Sequence, residues 1–93
     1  MVIDKYTTLL TTYGGNGRIL YRYKLDTNLF IDYGLTKDKW INAQKKSIKN
    51  TFCTSPSMSL FRDYDVIVTW NYVDLDGEFI SKIEMNRDKC YWQ

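Results

Sequence analysis

Asp74, Asp76 and Glu78, grouped around Gly77, are the best candidates for acid chemistry in this 93-residue chain. Carboxylates so close together can hold a divalent cation or act as a general acid and base pair. A calcium loop, however, needs more oxygen ligands than this segment offers. Asp and Gly are also the residues a hairpin turn uses to reach positive φ, so the turn reading is favoured. Asp63 and Asp65, on either side of Tyr64, read likewise as residues leading into a strand. There is no histidine, which removes the usual general base and the commonest metal ligand and excludes Ser-His and Cys-His nucleophiles. Cys53 and Cys90 are not spaced as C-x-x-C. Without histidine they build a zinc site only if carboxylates or a second chain contribute. No catalytic residue, metal or cofactor is expected, and the chain reads as a non-enzyme.

Binding chemistry has three candidates. Gly14-Gly15-Asn16-Gly17 ahead of Arg18 has the composition of a phosphate cradle, but such loops lead into a helix and this one leads into an alternating strand, which favours a turn. Tyr21, Arg22, Tyr23 and Lys24 interleave aromatic and basic residues as single-strand nucleic-acid platforms do. Neighbouring strand residues point to opposite faces, so the tyrosines are expected in the core and the cations in water. Lys39, Lys45, Lys46 and Lys49 form a one-sided basic helix face, either simply solvated or a docking surface for an acidic partner or anionic lipid. Tyr91 and Trp92 near the chain end either fold back on the core or form a contact patch.

The elements that position these residues follow from periodicity. Val66, Val68, Trp70 and Tyr72 alternate with Ile67, Thr69, Asn71 and Val73, and Phe79 to Met85 alternates likewise beyond Asp74-Leu75-Asp76-Gly77. That is a β-hairpin over residues 65–87. Residues 2–13 read as a weakly patterned strand. Residues 18–26 read as a clear one, with Ile19, Tyr21, Tyr23 and Leu25 on one face. Residues 27–34 form a connection too apolar to be free of the core. Thr36 is placed to cap a helix with Asp38 in its first turn. In that helix Trp40, Ile41, Gln44, Ile48 and Phe52 fall within about 120° of one another at about 100° per residue. Pro56 ends it, and residues 58–61 form a short helical turn. The expected fold is α+β in the order β-β-α-β-β, a four-stranded antiparallel sheet with one main helix packed on one face.

Length limits the chain to a single domain, 1–93, with one core. The apolar fraction of 44% and charged fraction of 26% are those of a globular protein. Aromatics reach 16%, with eight Tyr and three Trp, which suits a small core or a recognition surface. A net charge of +2 does not argue for nucleic acid by itself. No stretch approaches the roughly 18 apolar residues of a membrane span. The N-terminus lacks an export signal, which leaves a cytosolic protein or a mature domain without its leader. The cysteines stand at element ends that could meet, and a bond between them would close a loop of about 37 residues worth at most about 4 kcal/mol. Two independent buried thiols are the other reading.

The segments V-I-D-K-Y-T-T-L, L-Y-R-Y-K-L, F-C-T-S-P-S-M, W-N-Y-V-D-L-D-G-E-F-I and D-K-C resemble a group of small uncharacterised exported proteins, periplasmic or lipoprotein-type, of Gram-negative bacteria and their mobile elements. The resemblance spans almost the whole chain. It implies export, a pair of cysteines at Cys53 and Cys90 that form a disulfide, and no activity. The function expected is a non-enzymatic protein-binding module of the bacterial envelope, in the periplasm or outer envelope: an inhibitor, an immunity or exclusion factor, or an accessory subunit. Its partner-binding surface is expected on the sheet face away from the helix, at Leu20, Arg22, Lys24, Ile67, Thr69, Asn71, Ile80 and Lys82. The alternative is a cytoplasmic phage- or plasmid-encoded protein that binds nucleic acid or a host protein through the basic helix. Of the two ligands nucleic acid is the less expected, and an unprotected edge strand permits a homodimer.

Overall fold

Asn16 and Gly17 set the first hairpin. They have φ of 53° and 73°, the left-handed pair that a two-residue turn of matching twist requires. They join strand β1 (Thr7–Gly15) to β2 (Arg18–Leu25), with Gly15 paired to Arg18. The strand expected over 2–13 begins only at Thr7, because the Asp4 carboxylate accepts hydrogen bonds from Tyr6 N and Thr7 N, both at 2.8 Å. That turn folds the chain back, so Val2 bridges Thr8 along the outer side of β1.

The structure, a computed structural model, describes residues 1–90. After β2 come a short helix α1 (Asn28–Asp32), the main helix α2 (Lys37–Thr54), a 3-10 turn (Pro56–Met58) and a short helix α3 (Ser59–Asp63). Strands β3 (Ile67–Val73) and β4 (Phe79–Met85) and a second 3-10 turn (Arg87–Cys90) complete the order. Thr36 caps α2 as expected, its hydroxyl accepting from Lys39 N at 3.2 Å. At the other end Arg62 of α3 donates to Phe52 O at 2.6 Å and to Ser55 O at 2.9 Å. A cation thus satisfies carbonyls that the helix end leaves unpaired.

The fold is α+β, and the four strands lie in the order β1-β2-β3-β4. The sheet is mixed rather than wholly antiparallel: β1–β2 and β3–β4 are antiparallel hairpins, whereas β2 and β3 are parallel, with Arg18 opposite Ile67 and Lys24 opposite Val73. The reason is length. Helix α2 has 18 residues and spans about 27 Å, close to the roughly 26 Å of β2. It returns the chain to the end of the sheet where β2 starts, and Ile67 N bonds to Gly17 O at 3.0 Å there. A strand re-entering beside β2 at that end must run parallel to it.

One face of the sheet carries the core. Leu25, Val68, Trp70, Tyr72, Ile83 and Met85 meet Trp40, Ile48 and Phe52 of α2, with Tyr21, Tyr23, Leu29, Phe30, Met58 and Phe61 packed around them. Phe52 and Leu25 are wholly buried, each contributing about 1.5–3 kcal/mol. Residues 27–34 therefore pack on the core through Leu29 and Phe30, while Ile31 and Tyr33 stay exposed.

Candidate functional site

Seven of the eight residues expected on the face away from α2 lie there, in rows that cross the strands. One row runs Thr11, Arg22, Asn71, Lys82, the next Tyr13, Leu20, Thr69, Glu84, and a third contains Thr8, Lys24 and Val73. Ile67 sits opposite Arg18 at the end of the face. Helices α1, α2 and α3 contribute Leu29, Phe30, Trp40, Ile48, Phe52 and Phe61 to the cluster on the other side, so the helices lie on that side of the sheet. Arg22, Lys24 and Lys82 give it a positive centre, with Glu84 at one margin.

One of the eight expected residues is corrected, and a second lies on the face but is covered. Ile80 is only 6% exposed and belongs to the core. The β3–β4 register shifts between Tyr72, opposite Ser81, and Val73, opposite Phe79, so Ile80 is the extra residue of a bulge and strict alternation fails there. Thr69 is on the outer face but only 8% exposed, because it is short and stands between the longer Leu20 and Glu84. Asn71 is half-buried, and among the described residues its Oδ1 is buried with no hydrogen-bond partner. In the cross-strand row it stands between Arg22 and Lys82.

The other candidates resolve individually. Tyr21 and Tyr23 pack in the core, Tyr23 stacked on Tyr72 with centroids 5.1 Å apart, so the interleaved aromatics and cations do face opposite ways. Burial raises the pKa of both Tyr23 and Tyr72. The Asp74 carboxylate accepts from Asp76 N and Glu78 N at 2.9 Å each, and Asp74 O accepts from Gly77 N. Its oxygens serve the turn. No group of three or more metal-ligating acids or cysteines lies close enough to hold an ion among the described residues. Asp65 pairs with Arg87 at 3.7 Å, both exposed. The basic helix face divides: Lys39, Lys45 and Lys46 are exposed and Lys49 is half-buried, with Lys45 and Lys49 turned toward β4. Tyr91 and Trp92 lie outside the described residues.

Cys53 and Cys90 are bonded, their Cα atoms 5.5 Å apart, which staples the last turn of α2 to the 3-10 turn after β4. Sequence reasoning missed Lys89, whose Nζ reaches Glu84 O at 2.9 Å. It also missed the Tyr6 hydroxyl, which donates to the Asp32 carboxylate at 2.6 Å. That hydrogen bond, with some burial, pushes the Tyr6 pKa up to about 12. Neither contact joins residues of the expected elements at a predictable spacing.

The fold and surface define a small disulfide-stapled α+β protein with a sheet covered on one side by helices and open on the other. No known protein family and no curated protein matches the chain. Its fold is similar to the crystal structure of a Pseudomonas aeruginosa protein inferred to be secreted, with a TM-score of 0.77 over 97% of this chain and 77% of that one. Identity is 5%, so the likeness is one of fold. None of the described helices is long and apolar enough to cross a membrane.

Proposed function

We infer that this chain is a non-enzymatic protein-contact module that works in an oxidising compartment of the bacterial envelope, as an inhibitor, an immunity or exclusion factor, or an accessory subunit. The observation that carries the reading is the open sheet face. A half-buried apolar and cationic surface, Leu20, Ile67, Arg22 and Lys24, lies on strands held rigid from behind by the core. Such a mixture of apolar and guanidinium groups suits a protein partner with an acidic surface. The disulfide supports the compartment, because such bonds persist outside the reducing cytosol. The fold shared with a protein inferred to be secreted is consistent with it.

The test is site-specific photo-crosslinking in the native compartment, with the photoreactive residue at Thr11 or Lys24 on the same face and, as a control, at Lys46 on the helix. The reading expects one discrete adduct from the sheet positions that disappears when Leu20, Arg22 and Ile67 are together replaced by Ala. Equal adducts from Lys46, or adducts that survive the triple replacement, would show that the face is not the contact surface.

A further inference from the structure

The two edges of the sheet are not equivalent. Along β1 the chain's own start occupies the edge: Leu9 N bonds to Met1 O at 2.7 Å, the Met1 amine bonds to Leu9 O at 2.9 Å, and Val2 bridges Thr8. Strand β4 is the other edge. Its free side faces a cleft of about 590 Å³ between the strand and α2. Ile83 and Met85 belong to the floor and are core residues. Lys45, Lys49, Lys82 and Lys89 form the walls, and Glu84 is the one acid among the lining residues.

The backbone of β4 can be read from one contact. In an antiparallel ladder each residue turns its N–H and C=O to the same side, and that side alternates along the strand. Glu84 O accepts from Lys89 Nζ at 2.9 Å, so Glu84 turns its backbone away from β3. By alternation Lys82 does the same, while Ile83 bonds to its partner Trp70. The Lys82 N–H and C=O and the Glu84 N–H are thus presented to the cleft at strand spacing.

We propose that this edge captures an extended acidic segment of a partner protein, which adds to the sheet beside β4 with its carboxylates among Lys45, Lys82 and Lys89. The occupant follows from the two observations together. The open backbone groups ask for a strand, since main-chain pairing supplies affinity and the flanking side chains supply selectivity. The cationic walls ask for that strand to be acidic. A second copy fits poorly, because pairing two β4 edges would bring two sets of lysines together. Edge lysines commonly discourage pairing. Here they discourage basic and apolar strands and select an acidic one. The proposal goes beyond the open-face reading: Lys82 belongs to both surfaces, but Leu20, Arg22 and Ile67 do not line the cleft, and blocking peptide amides disturbs pairing with the β4 edge alone, so the two readings fail separately.

The probe is a fluorescein-labelled peptide of alternating glutamate and valine, about nine residues long so as to span β4. Its twin carries N-methyl groups on alternate amides in either phase, which keeps the charge and blocks strand pairing. Anisotropy at low salt is expected to show saturable binding of the unmodified peptide. Lys45→Glu with Lys82→Glu should weaken it at least about tenfold, and at least one methylated twin should lose about as much. In the spectrum of the intact disulfide-bonded protein, the Lys82 and Glu84 amides should shift on titration. The proposal is overturned if neither methylated twin binds more weakly than the unmodified peptide, which would leave charge alone as the cause. It also falls if the unmodified peptide does not bind, if a single-stranded oligonucleotide of equal charge displaces it at equal concentration, or if the protein dimerises through β4 instead.

Discussion

Removing the disulfide by Cys53→Ala with Cys90→Ala perturbs the fold at a point where the magnitude can be worked out. The bond closes 37 residues. In the chain-entropy model it lowers the unfolded-state entropy by about 13 cal/mol/K, or about 4 kcal/mol at 25 °C. A chain of this size has a total stability of about 5–14 kcal/mol, so the loss takes between just over a quarter and most of it. With a urea slope of about 1 kcal/mol/M, the denaturation midpoint should fall by about 3–4 M. The assay is equilibrium urea unfolding, followed by tryptophan emission and far-UV dichroism, on the oxidised protein, the reduced protein and the double variant. The reduced protein and the variant should agree within about 1 kcal/mol. Because the effect resides in the unfolded chain, both should show a larger urea slope than the oxidised protein, whose cross-linked unfolded state exposes less surface. A midpoint shift under about 1 M with an unchanged slope would refute this reasoning. It would mean that α2 and the turn after β4 hold together equally well without the bond.

Two further perturbations test the core and the ionisable contacts. Ile80→Ala should cost about 2–4 kcal/mol because Ile80 is 6% exposed and part of the core, whereas Lys82→Ala, on the exposed side of the same strand, should change stability by less than about 0.5 kcal/mol; thermal unfolding of the two variants checks the bulge. Tyr6 holds its proton to about pH 12 when folded, against an ordinary value of 10.0. Its contribution to stability is therefore fully present below pH 10 and is lost as the pH rises toward 12. Phenolate absorbance should show late titration that Tyr6→Phe reduces by one phenol, the rest coming from Tyr23 and Tyr72, both raised by burial, and a variant with an unchanged late amplitude would break the assignment of that share to the Tyr6–Asp32 contact.

The parts of this fold that were legible in sequence are those in which local chemistry and burial point the same way. Thr36 both starts the helix by capping it and precedes the stripe of Trp40, Ile48 and Phe52 that buries it. Asn16-Gly17 and Asp74 to Gly77 were legible because only a few residues tolerate the backbone those turns need. What was not legible depended on distances along the whole chain. The parallel pairing of β2 and β3 follows from the match between helix length and strand length, a quantity that no window of alternating residues contains. The misplacement of Ile80 has the same origin at smaller scale. Alternation assumes a constant register, and one extra residue in β4 turns a supposed surface isoleucine into a core one.

The same distinction governs the two surfaces. The cationic face was readable because Arg22, Lys24 and Lys82 are spaced at strand period, and a flaw in one position left the rest in place. The β4 cleft was not, because its walls come from residues 45 and 49 on α2, 82 on β4 and 89 in the turn after it, which share no common period. Lysines that looked like a solvated helix face became part of a site only once the crossover laid α2 beside an edge strand. The pairing that escaped the sequence reading therefore also creates the cleft. With β3 parallel to β2 inside the sheet, its hairpin partner β4 is left outermost and its backbone is exposed to the helix lysines. Had β3 been the outer strand instead, β4 would have lain inside the sheet with both sides paired, and Lys45 would have faced no free edge.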